Sequence, residues 1–293
     1  MPQLTRFRDA IARHAPHDGT FPTALPGVTL IRCATPTLPM PVIYEPTVCF
    51  VAQGRKRATL GARTFHYDPA SYLVASVGVP VMGAVIEATA AQPYLSLQLD
   101  LDAATLAELA LQHPRPRQPD SAVAGLALET MTPGLLDAAT RLVSLLDTPA
   151  DAAALAPLAV REILYRLLAG PKGDALHALT RANSRQAQIA RAIAWLRLNF
   201  RRACAIGDIA EAAGMSRSTL HEHFKSVTDM SPLAFRTRLR MQEARRLMVA
   251  DGLDAASAGY AVGYDSPSQF SRDYARLFGA PPARDAQRLR KQR

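Results

Sequence analysis

At 293 residues the chain is long enough for two domains, and its 48% hydrophobic and 20% charged content is that of a globular protein, not a disordered one. Prolines, charges and polar residues break every apolar run short of the roughly 18 residues of a membrane helix, and no apolar leader follows Met1, so a cytoplasmic protein is expected. The formal net charge of +9 is uneven: residues 185–293 hold 19 Lys and Arg against 10 Asp and Glu, and the rest of the chain balances at 15 against 15, which directs any polyanion-binding role to the C-terminal part.

Residues 1–24 read as an arm or short helix anchored by Phe7 and Ile11. From Val28 to Leu99 the pattern turns to short runs rich in Val, Ile, Leu, Thr and Tyr between Pro and Gly, which predicts strands. The runs are Val28–Cys33, Val42–Tyr44, Thr47–Ala52, Arg57–Leu60, Arg63–Tyr67, Ser71–Ser76, Val79–Glu87 and Tyr94–Leu99. So many short strands in about 75 residues predict a barrel or a two-sheet roll. Helical signals follow over Asp102–Leu111, over Gly134–Leu146 opened by Thr132-Pro133, and over Ala152–Ala169 opened by Asp151 and closed by Gly170-Pro171.

In the second of these, Leu135, Leu136, Ala139, Leu142, Val143 and Leu146 form an apolar stripe that either packs on the barrel or forms part of a dimer interface. Three prolines make His113–Asp120 a loop, and Lys172–Ser184 is expected to contain the linker. Cys33, Cys49 and Cys204 share no metal-ligand or redox spacing, and an odd count argues against a disulfide framework.

The C-terminal part carries two copies of one short pattern, Ile206–Lys225 and Ala255–Phe278. In each, a helix of small and apolar residues ends at a glycine (Gly214, Gly263), a turn follows, and a serine (Ser216, Ser266) caps a second helix with aromatics on its inner side. Pro267 and Gln269 add a proline at the first helical position and a capping box. Between the copies, Ser231-Pro232 opens a run of about 20 residues to Ala250, about 30 Å if helical. That is close to the roughly 34 Å between successive major-groove turns on one side of B-DNA.

Paired helix-turn-helix units on one connecting helix, with Gly263-Tyr-Asp-Ser-Pro-Ser-Gln-Phe-Ser-Arg-Asp-Tyr274 and Leu277-Phe-Gly-Ala-Pro-Pro282 closing the second, resemble the DNA-binding domain of AraC/XylS-type transcription regulators. The likeness covers about Arg185 to Arg290. Ala258-Gly259 and Asp285-Ala286 depart from the family's usual Ile-Ala and Tyr-Arg, so the first helix of the second unit is expected to pack thinly. Upstream, Tyr44–Gly61, Phe65–Pro69 and Tyr94–Asp102 resemble the cupin-like N-terminal domain of one AraC-type subgroup, a sensor or dimerisation module. The implied architecture is α+β: residues 1–180 form a cupin-like β-barrel or roll with following helices, and residues 185–293 an all-α domain of two helix-turn-helix units joined by a long helix.

The candidate site residues follow. With Leu220 and Phe224 inward on the first recognition helix, Arg217, Ser218, His221, Glu222 and Lys225 face out; the family pattern implies base contacts at Ser218, His221 and Glu222, with Lys225 meeting phosphate. On the second, Phe270, Tyr274 and Leu277 point inward, leaving Ser268, Gln269, Ser271 and Arg272 outward. Arg272 suits a guanine or a phosphate, and Gln269 is expected to close the capping box. Arg276, Arg240, Arg245 and Arg246 are expected to add phosphate contacts. In the barrel, Tyr44, Cys49, Gln53, His66 and Tyr94 are candidates to line an effector pocket, Cys49 being either a small core residue or a reactive thiol.

The expected function is a sequence-specific, effector-responsive transcription regulator, more an activator than a repressor. Its partners would be promoter DNA, RNA polymerase, an unknown small molecule and a second copy of itself, with no membrane, no metal and no cofactor. The alternatives are a cupin-type enzyme with an appended DNA-binding domain and a nonspecific architectural protein. His66 is the single histidine between Val28 and Leu99, so a histidine-based metal site cannot be assembled there.

Overall fold

Helix α1 (Pro2–His14) opens the chain and buries Phe7 and Ile11 completely, as its apolar spacing predicts. The structure is a computed structural model describing residues 2–114, 124–171, 173–181 and 184–290; the proline-rich loop expected at His113–Asp120 lies largely outside the described residues. It divides into two compact units, Met1–Ala190 with Ser226–Asp229 and Arg191–Lys225 with Met230–Arg293.

The first unit contains strands β1 (Gly19–Pro22), β2 (Val28–Cys33), β3 (Met40–Tyr44), β4 (Thr47–Gln53), β5 (Arg55–Leu60), β6 (Arg63–Tyr67), β7 (Ser71–Ala75), β8 (Val79–Glu87), β9 (Tyr94–Asp100) and β10 (Leu126–Thr130). All pair antiparallel, in one sheet of order β1-β2-β9-β4-β7-β10 and another of order β3-β8-β5-β6. This is the two-sheet roll expected from the sequence, with β1 and β10 added at the edges of the larger sheet.

Helices α2 (Ala103–Gln112), α3 (Pro133–Ser144), α4 (Pro149–Ala169) and α5 (Gly173–Leu179) follow the strands. Asp102 and Thr132 cap α2 and α3 through their side-chain oxygens, the second at the Thr132-Pro133 opening read from the sequence. Helix α4 starts at Pro149, ahead of the expected Asp151, because Pro suits a first helical position. Helix α5, which carries the buried Ala175, Leu176 and Ala178, occupies part of the stretch expected to be linker.

One core joins α1, α3 and α4 to the larger sheet: Phe7, Ile11, Leu142, Ile163 and Leu167 pack with Leu30, Val48, Phe50, Leu95 and Leu97. The alternate residues of the same strands, among them Cys49, Val51, Tyr94 and Ser96, are also buried and face the second sheet. Burial on both faces explains why Thr47–Gln53 is an almost unbroken apolar run. The apolar stripe of α3 is used up in this core, since Leu135, Ala139, Leu142 and Val143 are buried and Leu136 and Leu146 pack against it. It therefore leaves little apolar surface for a partner.

The second unit is helical. After α6 (Arg185–Asn199) come α7 (Ile206–Ala213), α8 (Arg217–Thr228), α9 (Pro232–Ala250), α10 (Ala255–Ala261), α11 (Pro267–Phe278) and α12 (Pro282–Arg290). Gly214 ends α7 with φ +66°, and Gly263 follows α10 with φ +88°. A Cβ on Gly263 would stand 2.0 Å from the Arg201 carbonyl oxygen, a fixed backbone atom that cannot step aside. Gly263→Ala is expected to lower the stability of this unit by more than about 1 kcal/mol in urea denaturation, combining a disfavoured φ with a clash.

Candidate nucleic-acid interface and barrel interior

Helix α8 begins because the Ser216 hydroxyl accepts the Thr219 amide at 3.2 Å, satisfying one of the free donors of the first turn. Leu220 and Phe224 are fully buried, and the Phe224 ring meets Phe235 of α9 edge to face at 5.3 Å. That anchoring turns Arg217, Ser218, His221, Glu222 and Lys225 to solvent together. The Ser218 hydroxyl lies 3.1 Å from that of Ser216, so the cap also orients it.

Helix α11 repeats the construction. Ser266 accepts the Gln269 amide at 3.3 Å, Pro267 takes the first helical position, and Phe270 and Tyr274 are fully buried. Ser268, Gln269, Arg272 and Arg276 are exposed and Ser271 partly so. The expected capping box forms only by half. Among the described residues the Gln269 side chain makes no return bond, since Ser266 alone already satisfies the cap, and its amide is free to meet a ligand. The thin packing expected at Ala258-Gly259 is also not seen: the Phe270 ring lies so close that a Cβ on Gly259 would stand 3.0 Å from it, and Tyr264 meets the same ring at 5.6 Å.

The supporting arginines differ from expectation. Arg240 lies under the end of α6, donating to the carbonyls of Phe200 at 2.6 Å and Arg201 at 3.1 Å, so it braces a helix C-terminus. Arg245 is buried, with its Nε 2.7 Å and Nη2 3.0 Å from the Asp285 carboxylate. Asp285 also accepts from Tyr274 at 2.9 Å and Arg288 at 2.8 Å. Neither Arg240 nor Arg245 is placed as a phosphate ligand. Arg246 is exposed but paired with Glu243 and Asp251, and Arg276 is paired with Asp273 at 2.6 Å. Arg272 makes no hydrogen bond or ion pair among the described residues.

In the first unit the strand register separates the five interior candidates. Tyr44, Cys49 and Tyr94 are buried between the sheets, and the Tyr44 and Tyr67 hydroxyls share a hydrogen bond of 2.9 Å. Gln53 sits at the strand end, where β4 and β9 shift register, and donates to the Pro93 carbonyl at 2.8 Å. His66 is on the outer face: Phe65 and Tyr67 take the inward positions of β6, one residue to either side. Burial pushes the Cys49 thiol up to about 11, so it is protonated at neutral pH, which favours its structural role over a reactive one.

Lys56, expected from the sequence in a Gln53–Lys56 hairpin turn, stands inside β5. Its ammonium lies 5.6 Å from the Tyr44 ring centre and 6.0 Å from that of Tyr94. Alternation along Lys56, Ala58 and Leu60 of β5 held the signal, since the last two are buried on the inner side.

The pattern of the AraC-type transcriptional regulator N-terminus matches residues 24–175, more than half the chain, and a helix-turn-helix domain matches residues 209–288. The chain belongs to the AraC family of transcription regulators. Among curated relatives, this AraC-family chain is 35% identical over 94 residues to a putative AraC-like transcription regulator of Streptomyces lividans, covering 32% of this chain and 31% of the relative. It is 28% identical over 149 residues to the HTH-type transcriptional activator RhaS of Salmonella schwarzengrund, covering 50% and 53%. The chain thus spans between about a third and a half of the length of these curated relatives.

Among solved structures, unsaturated fatty acid bound ToxT of Vibrio cholerae aligns over 89% of this chain and 93% of its own, with a TM-score of 0.55 and 11% identity. That likeness concerns the fold. Among the described residues of this AraC-family chain, no helix is long and apolar enough to cross a membrane, and no cluster of His, Cys, Asp or Glu is placed to hold a metal.

Proposed function

We propose that the chain is a sequence-specific, effector-responsive regulator that reads two adjacent major-groove segments with α8 and α11. The observation that carries this reading is the repeated construction of those helices: each is serine-capped, locked by two buried side chains, and exposes a polar face near its N-terminus, the end that enters the groove in helix-turn-helix proteins. The 19-residue α9 between them is about 28 Å long, suited to hold two readers about one duplex repeat apart. Arg217, Ser218, His221, Glu222 and Lys225 on one helix, and Ser268, Gln269, Ser271, Arg272 and Arg276 on the other, are the proposed contacts. Within them His221, Glu222, Gln269 and Arg272 carry base-reading chemistry.

Activation rather than repression, RNA polymerase as a partner, a homodimeric working form, a cytoplasmic location and a division of labour between residues 1–180 and 185–293 belong to the same proposal. A cupin-type enzyme is the weaker reading, because the barrel interior presents tyrosines, a lysine and a cysteine while the one histidine of the strands is turned outward.

Selection of fragmented genomic DNA with the purified protein is expected to enrich one motif containing two boxes about one helical turn apart. Enrichment of every sequence alike would instead describe a nonspecific architectural protein.

A further inference from the structure

Where the start of α1 faces the ends of β4 and β8 and the turn between β6 and β7, the first unit has an open cleft of about 470 Å³, within the size range of small-ligand sites. Gln53, one of the five residues expected to line an effector pocket, borders it together with Arg8, Arg55, Asp68 and Glu87. Charges of both signs meet there without closing on one another. The Arg55 guanidinium stands between two carboxylates, its Nη2 3.4 Å from Asp68 and its Nε 3.6 Å from Glu87, and among the described residues it hydrogen-bonds to neither. Elsewhere in the same unit Arg13, Arg141, Arg161 and Arg166 close onto their carboxylates at 2.5–2.9 Å.

The other charged side chains of the cleft are partly spent. Asp68 gives one oxygen to the Ala70 amide at 3.0 Å, and Arg8 holds Asp9 at 2.8 Å. Arg55 and Glu87 are therefore the pair with uncommitted donors and acceptors. The backbone sets them side by side: they are register partners at the ends of β5 and β8, brought together by the turn at Gly54, whose φ is +78° and where a Cβ would stand 2.5 Å from the Glu87 carbonyl oxygen. An exposed, loose ion pair contributes little to stability, so parting it costs little. A ligand carrying both charges would replace it with two close, charge-assisted contacts, a carboxylate on the guanidinium fork and an ammonium on the carboxylate. A ligand with one charge would serve one member of the pair and strand the other.

We propose that this cleft binds a free α-amino acid with an apolar side chain, its carboxylate on Arg55, its ammonium on Glu87 and its side chain against Leu4, Pro69 and Ala70, which line the same cleft. This rests on the reading of the chain as effector-responsive and names a class of effector, at a place outside the barrel interior.

Calorimetric titration of the full chain with L-leucine, with L-leucinamide, which lacks the carboxylate, and with N-acetyl-L-leucine, which lacks the ammonium, tests it on wild type, Arg55→Gln and Glu87→Gln. Leucine is expected to bind wild type at least tenfold tighter than either blocked form, and each variant should lose at least tenfold in leucine affinity. Both side chains are exposed, so thermal melting without ligand should match wild type. No binding of leucine, binding of a blocked form as tight as that of leucine, or unchanged leucine binding in either variant would each overturn the assignment. Should a variant not fold, the comparison of leucine with its two blocked forms on wild type still decides. Saturating leucine is expected to change the affinity of wild type for its selected DNA at least threefold, and binding without any such change would overturn the effector role. Selection of a two-box motif by a protein that binds no leucine would sink the site alone and leave the regulator reading standing.

Discussion

Arg272→Glu is expected to lower affinity for the selected DNA by at least about 100-fold at fixed salt, with no change in fold. Arg272 is exposed and unpaired among the described residues, one turn into a helix locked by Phe270 and Tyr274. Its loss thus removes no internal contact, and a surface change of this kind stays within about 0.5 kcal/mol of wild-type stability. Against DNA, a bidentate arginine is worth about 1–3 kcal/mol, and a carboxylate in its place adds repulsion from the phosphates.

The two roles open to Arg272 separate in the same experiment. A guanine contact predicts a loss concentrated at one base pair with a nearly unchanged salt slope; a phosphate contact predicts a uniform loss and a slope smaller by about 0.9. Fluorescence anisotropy across a salt series, with circular dichroism as the folding control, reads both. Affinity equal to wild type would remove α11 from the interface. Arg276→Glu should weaken binding less, because Asp273 already holds that guanidinium.

The fold was legible wherever its causes are local. Strand alternation and turn chemistry between Val28 and Leu99 are written within a few residues, and the eight strands read there all exist. β10 is different in kind: Leu-Ala-Leu-Glu-Thr is made largely of helix formers, and it becomes a strand because β7, some 50 residues earlier, offers a free edge in register Leu126 to Ala75. β1 is four residues containing Gly and Pro, too short and too irregular to show a period.

The candidate sites divide by the same rule. Both serine caps are local and were readable, whereas the side facing the barrel interior depends on register, so a slip of one residue favoured His66 over Tyr67. Lys56 reads as a turn residue and Arg245 as a phosphate contact in the sequence, because there charge is taken to mean solvent. Met241, Ala244 and Met248 are buried on α9, and Arg245 lies on that same i, i+3, i+4, i+7 stripe; its partner, 40 residues away on α12, had no local signature.

That partner leads to the largest stability effect expected. Asp285 is fully buried and bound by Arg245, Tyr274 and Arg288. Asp285→Ala would leave the Arg245 guanidinium buried against the Phe278 ring, 4.3 Å from its centre, with its charge uncompensated. Breaking one side of a buried pair costs about 3–5 kcal/mol, a large part of the roughly 5–15 kcal/mol that holds a domain together. The helical unit should melt far earlier, whereas Arg245→Met with Asp285→Leu, which removes both charges, should lose only about 1–3 kcal/mol, from the buried Tyr274 hydroxyl left without its acceptor.

Acid should act on the same pair. Burial by itself would raise the Asp285 carboxyl, but the hydrogen bonds and charge of Arg245, aided by Tyr274 and Arg288, outweigh it and hold the group below its ordinary range. A carboxyl whose folded pKa is depressed stabilises the fold fully above its unfolded value of about 3.9, and that contribution is lost as pH falls through the folded value. Denaturation of wild type should therefore steepen below about pH 4, and the double variant should lack that part of the loss. Tyr274 sits on the inner side of α11 and spends its hydroxyl on Asp285, so the network also fixes how the second reading helix is seated. A double variant that stays folded but binds DNA more weakly is the expected sign of that link. An Asp285→Ala protein as stable as wild type would show instead that the guanidinium finds water or another partner, and that the buried pair does not hold this unit together.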